Sequence, residues 1–454
     1  MLCKLQSCNI PVLLLLLIAT VMTCDSHKEP QILEQIDVDK VWAGHPVGFC
    51  LLTRNDHQFV AYYDANRQMT VAARGLGDSI WHYKHLPSTL GWDSHNYVTL
   101  AIDRDSCLHV SGNMHNDSLV YFRSQNPLDV ATLDPIHRMT GDAETRVTYP
   151  RFMHDAQGNL LFMYRNGGSG NGERLVHRYS ESTRRLERLL DTPLLDGRAH
   201  SMNAYPAPPV NGPDGYFHLV WMWRNNPDAR SNHDISYMRS RDFVHWETAA
   251  GKPVSLPVMP DDKEVIVDPV PPNQGLINMG HKVSFDPDGR PVVIYHKYDE
   301  NGYSQIFLAR WKNKKWNIRA LSPWMTRWSF RGTGAIECEI KAGPLVMLTD
   351  GRLVQSWTHS IQGSGTWELD PETLEVRGSV DLPPRYPVHL QKPESDIEGM
   401  TVRWCKDSGD QPSDNADYVM RWETLPVNRD QPANRSFPEN SRLRVYQLKN
   451  TAQR

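Results

Sequence analysis

The chain has 454 residues, with 49 Lys and Arg against 53 Asp and Glu and a formal net charge of −4. That balance excludes a strongly basic nucleic-acid binder and an acidic disordered chain, and a mean hydropathy of −0.54 excludes a multispan helical membrane protein. At about 150 residues per domain the length suggests three domains, although single all-β domains run longer. The 14 Trp, 17 Tyr, 29 Gly and 32 Pro point to short strands joined by tight turns.

A single charge at Lys4 precedes the apolar residues 11–21, a run too short to span a bilayer comfortably as a helix. Residues 1–23 read as a secretory signal, which predicts a secreted or periplasmic protein. Cys24 follows at once and is a candidate for the lipid-modified first residue of a bacterial outer-membrane lipoprotein, with simple release as the alternative. Cys3 and Cys8 leave with the signal. Cys50, Cys107, Cys338 and Cys405 make no CxxC or other zinc spacing. They read as isolated core thiols, with a disulfide not required.

Residues 24–454 repeat one pattern: a polar turn centred on Asp-Gly or a substitute, an apolar strand, then a second strand ending in a basic or polar residue. Arg54-Asn55-Asp56 precedes strands near Phe59 and Met69. The next turns fall at Ser106, Gly158, Gly215, Gly289 and Gly351, about 50–75 residues apart. Repeats of this kind, with four short strands each, are the mark of β-propeller blades. Residues 254–280 read as an insertion within one blade. A last unit pairs Tyr418-Val419-Met420-Arg421 with Leu443-Arg444-Val445-Tyr446. The expectation is an all-β fold, a single seven-bladed β-propeller of four-stranded antiparallel blades. A strand around residues 41–52 is expected to close the ring on the last blade and remove its exposed edge. No segment sustains a 3.6-residue period, so helices should be few. The protein is expected to be a monomer.

Propellers gather loops around one axis, and function concentrates on such loops. Three clusters carry reactive groups. Trp42-Ala43-Gly44-His45-Pro46 sets a His between Gly and Pro in an apolar stretch. Glycine admits close approach of a ligand, and imidazole passes protons near neutrality. His95-Asn96 and His115 flank one strand–turn–strand unit, which returns both ends to the same rim. Tyr149, in Thr148-Tyr149-Pro150, and Tyr164-Arg165, ahead of a Gly-rich run at 167–172, bracket the next unit. The run lacks the order of a phosphate loop. His, Tyr and Arg are the groups a uronate lyase needs. Arg neutralises the carboxylate, His or Tyr removes the acidified C–H proton, and another protonates the departing oxygen. His200, Tyr205 and Arg224 add aromatic and basic groups further on. With Trp42, Asn96 and Tyr164 they complete the candidate substrate-binding set. Trp221 and Trp223 alternate along one strand, so at least one belongs to the core. His281, Cys338 and His359 are able to bind metal but have no zinc spacing; no cofactor is required, and a structural metal is left open. No close carboxylate pair of the glycosidase kind stands out.

The segments Gly44-His45-Pro46-Val47-Gly48-Phe49, His95-Asn96 to His115, Thr148-Tyr149-Pro150 and Tyr164-Arg165-Asn166-Gly167-Gly168 resemble the BNR-4 repeat superfamily. Its members are seven-bladed propellers acting on rhamnose- and uronate-containing glycans, and the likeness covers nearly all of the mature chain. Two branches match. One resembles glycoside hydrolase family 145, α-L-rhamnosidases that cut rhamnose from glucuronic acid in α-1,4 linkage, as in arabinogalactan caps. That branch implies a single catalytic His, matched by His45. The other resembles ulvan and rhamnose–glucuronate lyases, whose site lies on the opposite face and is matched by His95, His115, Tyr149 and Arg165. Because His45 is the discriminating residue and is present, the resemblance favours an exo-acting α-L-rhamnosidase. The lyase is the alternative, and a non-catalytic glycan-binding propeller is a third. All three imply a rhamnose- and glucuronate-containing glycan as partner.

Overall fold

The computed structural model describes residues 29–409, 416–432 and 441–449. The expected signal sequence and Cys24 lie outside the described residues. Those described form strands and a few single-turn 3-10 helices, with no α-helix among them. No helix among them is long and apolar enough to cross a membrane.

Each of the six turns legible in the sequence joins the first two strands of one antiparallel sheet. At their tips Asn55, Ser106, Gly158, Gly215, Gly289 and Gly351 take φ between 54° and 87°. Only Gly, or a short polar residue, adopts that left-handed backbone at low cost. An Asp side chain completes several of the turns. Asp155 Oδ1 accepts from the Gln157 and Asn159 amides, and Asp286 Oδ1 accepts from those of Asp288 and Arg290.

The first sheet contains Cys50–Arg54, His57–Tyr63, Gln68–Gly75 and His82–Thr89. The second contains Val98–Ile102, Leu108–Gly112, Tyr121–Ser124 and Leu133–Pro135. The third contains Val147–His154, Leu160–Gly168, Asn171–Ser180 and Arg185–Arg188. The fourth is built on Asn203–Pro206, Phe217–Arg224, Asn232–Ser240 and Trp246–Glu247. Lys282–Phe285, Pro291–Tyr298, Ser304–Lys312 and Lys315–Ala320 make the fifth, and Ile340–Met347, Leu353–His359, Gly363–Leu369 and Val376–Ser379 the sixth. The insertion at 254–280 sends Ile266–Asp268 back onto Asn232–Ser240. First strands of neighbouring sheets lie against one another, as Cys50–Arg54 does against Val98–Ile102. Middle strands are therefore covered on both faces. All eight residues of Phe217–Arg224, with Trp221 and Trp223 among them, are buried, which is why such strands read as continuous apolar runs.

Counted as units of continuous chain there are six blades, not seven. The remaining sheet is shared between the two chain ends: Thr401–Lys406, Ala416–Thr424 and Ser441–Lys449 are joined at the edge by Ile32–Val41. The closing strand is thus Ile32–Val41, with Ile36 opposite Val445. The expected 41–52 segment instead links it to the first blade, where Cys50–Arg54 is the first strand. Glu34 on the closing strand accepts from both terminal nitrogens of the buried Arg74 at 2.9 Å, a bidentate pair that ties the first blade across the closure. Cys50, Cys107, Cys338 and Cys405 are all free thiols.

Gly158 sits at φ 75°, with open space where a Cβ would be, so only its backbone constrains it. Gly158→Val is expected to cost about 1–2 kcal/mol of stability. Gly378→Val, in an exposed strand with equally open surroundings, should be near neutral. Denaturant midpoints of the two variants check this, and equal midpoints would contradict it.

Candidate active site

The loop ahead of Val98–Ile102 carries Asp93 and His95. Beyond Leu108–Gly112, the strand His115–Asp117 leaves the second blade and pairs with the third, His115 opposite Thr148. Val98 lies opposite Gly112, so both histidines come to one rim, as their spacing implied. Their rings stack at 4.3 Å between centroids.

One carboxylate serves both rings. Asp93 Oδ1 accepts from His95 Nδ1 at 2.7 Å, and Oδ2 accepts from His115 Nδ1 at 2.5 Å. The carboxylate they face fixes Nδ1 as the protonated nitrogen of each ring. Nε2 of His115 is left for a ligand. Asp430, at φ 60° in the last blade, reaches the same loop. It accepts from the Ser94 amide and hydroxyl and from the Ala335 amide, and its carboxylate lies 3.4 Å from His95 Nδ1. Burial alone would raise the pKa of Asp93, but the bonds from His115 and His95 outweigh it and hold the carboxyl well below the usual range. Burial alone would lower His95, yet Asp430 and Asp93 raise it to about 9. His95 is therefore an imidazolium at neutral pH. The sequence showed no close carboxylate pair. The fold brings Asp93 and Asp430 to one imidazole, where both are spent on hydrogen bonds.

Tyr149 faces this pair, 6.0 Å from His95 and 6.4 Å from His115 between ring centroids. It holds φ 57°, a costly backbone for an aromatic residue and one that concentrates at functional sites. Burial pushes its phenol up to about 12, with Tyr205 adding to the rise and Arg165, Arg224 and Arg174 opposing it. The hydroxyl stays protonated. Arg165 and Arg174 are cross-strand partners and lie 5.0 and 5.8 Å from the Tyr149 ring. Arg165 is buried beneath the tyrosine, donating Nε to the Gly167 carbonyl and Nη2 to Thr148 Oγ1. Arg174 lines the cavity. Burial and Arg165 lower its pKa, but a guanidinium remains a cation at neutral pH. Arg224 is held by Asn232, Tyr205 and Asn278.

These groups surround one cavity of about 710 Å³, whose wall includes His95, His115, Tyr149, Arg151, Arg174, Tyr205 and Arg224. Five sequence candidates thus meet there: His95, His115, Tyr149, Tyr205 and Arg224. The others fall elsewhere. Arg165 supports the wall from behind. His45 is fully buried, accepting from Trp42 Nε1 at 2.9 Å and packing 5.6 Å from Trp92. Burial lowers its pKa to about 4. It lies behind the Trp92-Asp93 loop that also carries His95. Trp42 is buried beside it, and Asn96 is buried with its carbonyl accepting from Tyr63 Oη. Tyr164 is fully buried against His177. His200 is exposed outside the cavity wall, 3.6 Å from Asp261. His281, Cys338 and His359 do not converge: His281 donates to the Tyr205 carbonyl, Cys338 to that of Ile340, and His359 pairs with Thr326.

Sequence reasoning missed Asp93, Asp430, Arg151 and Arg174. Asp93 stands two residues before His95 and was readable. Asp430 is far away in the chain, and only ring closure brings it in.

Comparison with known proteins agrees with this architecture. No curated protein sequence matches the chain. Among solved structures, the polysaccharide lyase Uly1 superposes with a TM-score of 0.61 at 13% identity, covering 92% of this chain and 99% of the other. A PL25 ulvan lyase gives a TM-score of 0.60 at 12% identity, covering 92% and 96%. That lyase has also been solved bound to -[GlcA(1-4)Rha3S]-, with the same coverage and TM-score. At such identity the likeness shows the shared fold. The sequence model of the BNR repeat-containing family matches residues 57–324. The match spans more than half of the chain and four complete blades, and the chain belongs to that family.

Proposed function

We propose that the protein is a polysaccharide lyase that cleaves a uronate-containing glycan by β-elimination. The observation that carries this reading is the imidazole pair bridged by Asp93, set opposite a protonated tyrosine in a cavity walled by arginines. Arg174, Arg224 and the His95 imidazolium draw charge from the uronate carboxylate and acidify the neighbouring C5–H. His115 Nε2 takes that proton. The C–H electron pair becomes the C4–C5 double bond, the bond from C4 to the glycosidic oxygen breaks, and the Tyr149 hydroxyl protonates the departing oxygen. No water enters the step. The substrate we infer is a rhamnose–glucuronate glycan, supported by the -[GlcA(1-4)Rha3S]- ligand bound to the ulvan lyase of the same fold. Action outside the cytoplasm, on the strength of residues 1–23, belongs to the same proposal.

The rhamnosidase expectation has less support. It rests on His45, whose imidazole is fully buried and engaged by Trp42.

Incubation with a rhamnose–glucuronate glycan should give an unsaturated uronide, seen by its ultraviolet absorbance, and no free rhamnose. His115→Ala and Tyr149→Phe should each slow its formation about 10²–10⁴-fold, the usual worth of a general acid or base. Rhamnose release that His45→Ala abolishes would overturn the reading in favour of the hydrolase.

The charge on His95 gives a second test. A group whose pKa is raised in the folded protein acts in its protonated form below that pKa and loses the proton as pH rises through it. Activity should therefore fall as pH rises through about 9. Asp430→Asn removes one of the two carboxylates that hold the proton, so the alkaline limb of the kcat/KM profile should move to lower pH. An unmoved limb would remove His95 from this role.

A further inference from the structure

A second cavity of about 420 Å³ is lined by Arg230, Asn273, Gly275, Tyr298, Arg327, Ser329, Phe330 and Arg331. Three of these eight residues are arginines. The Arg327 guanidinium lies 3.7 Å from the centroid of the Tyr298 ring and donates Nη1 to the Gly302 carbonyl, which holds its cation in one place. Arg230 is paired with Asp228 at 2.7 Å. No ion pair with a carboxylate of the described residues is seen for Arg327 or Arg331, so the pocket keeps a net positive charge. Gly275 has φ 78°, and a Cβ there would lie 2.7 Å from the Tyr298 ring; only glycine lets the ring seat against the backbone.

The position of this pocket matters as much as its charge. Ala229 and Gly332 line the large cavity, while their chain neighbours Arg230 and Arg331 line the second. The two segments are sewn together by the Ala229 amide donating to the Gly332 carbonyl and the Gly332 amide donating to Asp228 Oδ1, both at 3.0 Å. The two cavities thus share one seam.

We propose that the Arg230–Arg327–Arg331 pocket is a remote subsite that binds an anionic sugar unit of the same polymer, beyond the residues at the cleaved bond. The proposal rests on the reading of the large cavity as the site of glycan cleavage. Guanidinium forks suit the oxygens of a carboxylate or a sulfate ester. At this exposed rim they add affinity for a long polyanion that spans both cavities, and they leave the chemistry alone.

The test uses the full chain and the double variant Arg327→Ala, Arg331→Ala. With a long rhamnose–glucuronate polysaccharide, KM should rise about tenfold, the worth of one charge-assisted contact, while kcat holds. With the shortest oligosaccharide that is cleaved, both constants should hold. An equal KM change on both substrates, or none on either, overturns the subsite. Repeating the series with sulfated and desulfated polymer identifies the anion: loss on both marks a carboxylate site, and loss on the sulfated polymer alone marks a sulfate site. Equilibrium binding of the same polymer separates this proposal from the lyase reading. If the protein cleaves nothing, weaker polymer binding by the double variant still supports the subsite while the lyase reading fails. Unchanged polymer binding overturns the subsite whatever the activity.

Discussion

The Asp93 carboxylate, shared by two imidazoles, is the interaction on which the site depends. Two stacked histidines have no reason to hold one geometry or one charge state. A single anion that accepts from Nδ1 of both fixes both rings and both tautomers at once. Asp430, reaching His95 from the last blade, breaks the symmetry. The ring that meets two carboxylates, His95, keeps its extra proton, whereas His115 meets Asp93 alone. Two residues of the same type thus stand in different electrostatic environments. Without Asp93, the partly buried Nδ1–H of His115 would lose its acceptor, a cost of about 1–3 kcal/mol, and that of His95 would face Asp430 alone.

This arrangement exists because the ring closes. Asp93 and His95 come from the loop entering the second blade, His115 from a strand that crosses to the third, and Asp430 from the sheet that joins the chain ends. Tyr149 and Arg174 belong to the third blade, and Tyr205 and Arg224 to the fourth. The first blade is tied to the N-terminal strand by Arg74 and Glu34. Closure therefore does more than remove an exposed sheet edge: it delivers the second carboxylate to His95. Stability and proton affinity are linked through the same contact.

Much of the fold could be read from local chemistry. Six turns recur with a left-handed residue at the tip and often an Asp that caps it, and such a turn is determined by a handful of adjacent residues. The histidine pair was legible for the same reason, since a strand–turn–strand unit returns its ends to one rim. What escaped was non-local. Ile32–Val41 alternates polar and apolar residues as an edge strand does, yet its partner Ser441–Lys449 lies at the other end of the chain. Arg165 and Arg174 face each other across a hairpin, and nothing in the sequence says which one reaches the cavity and which one supports it. His45 drew attention because a His between Gly and Pro looks placed for chemistry. In the fold it fills a buried gap behind Trp92 and accepts from the Trp42 indole.

The central claim is that the site eliminates and does not hydrolyse. The two reactions break opposite bonds of the same glycosidic oxygen and differ by one molecule of water. Mass spectrometry of both products from a defined rhamnose–glucuronate oligosaccharide tests this most directly. The account predicts product masses that sum to the mass of the substrate, with the unsaturation on the uronate fragment. A sum larger by one water, with a saturated uronate, would contradict it.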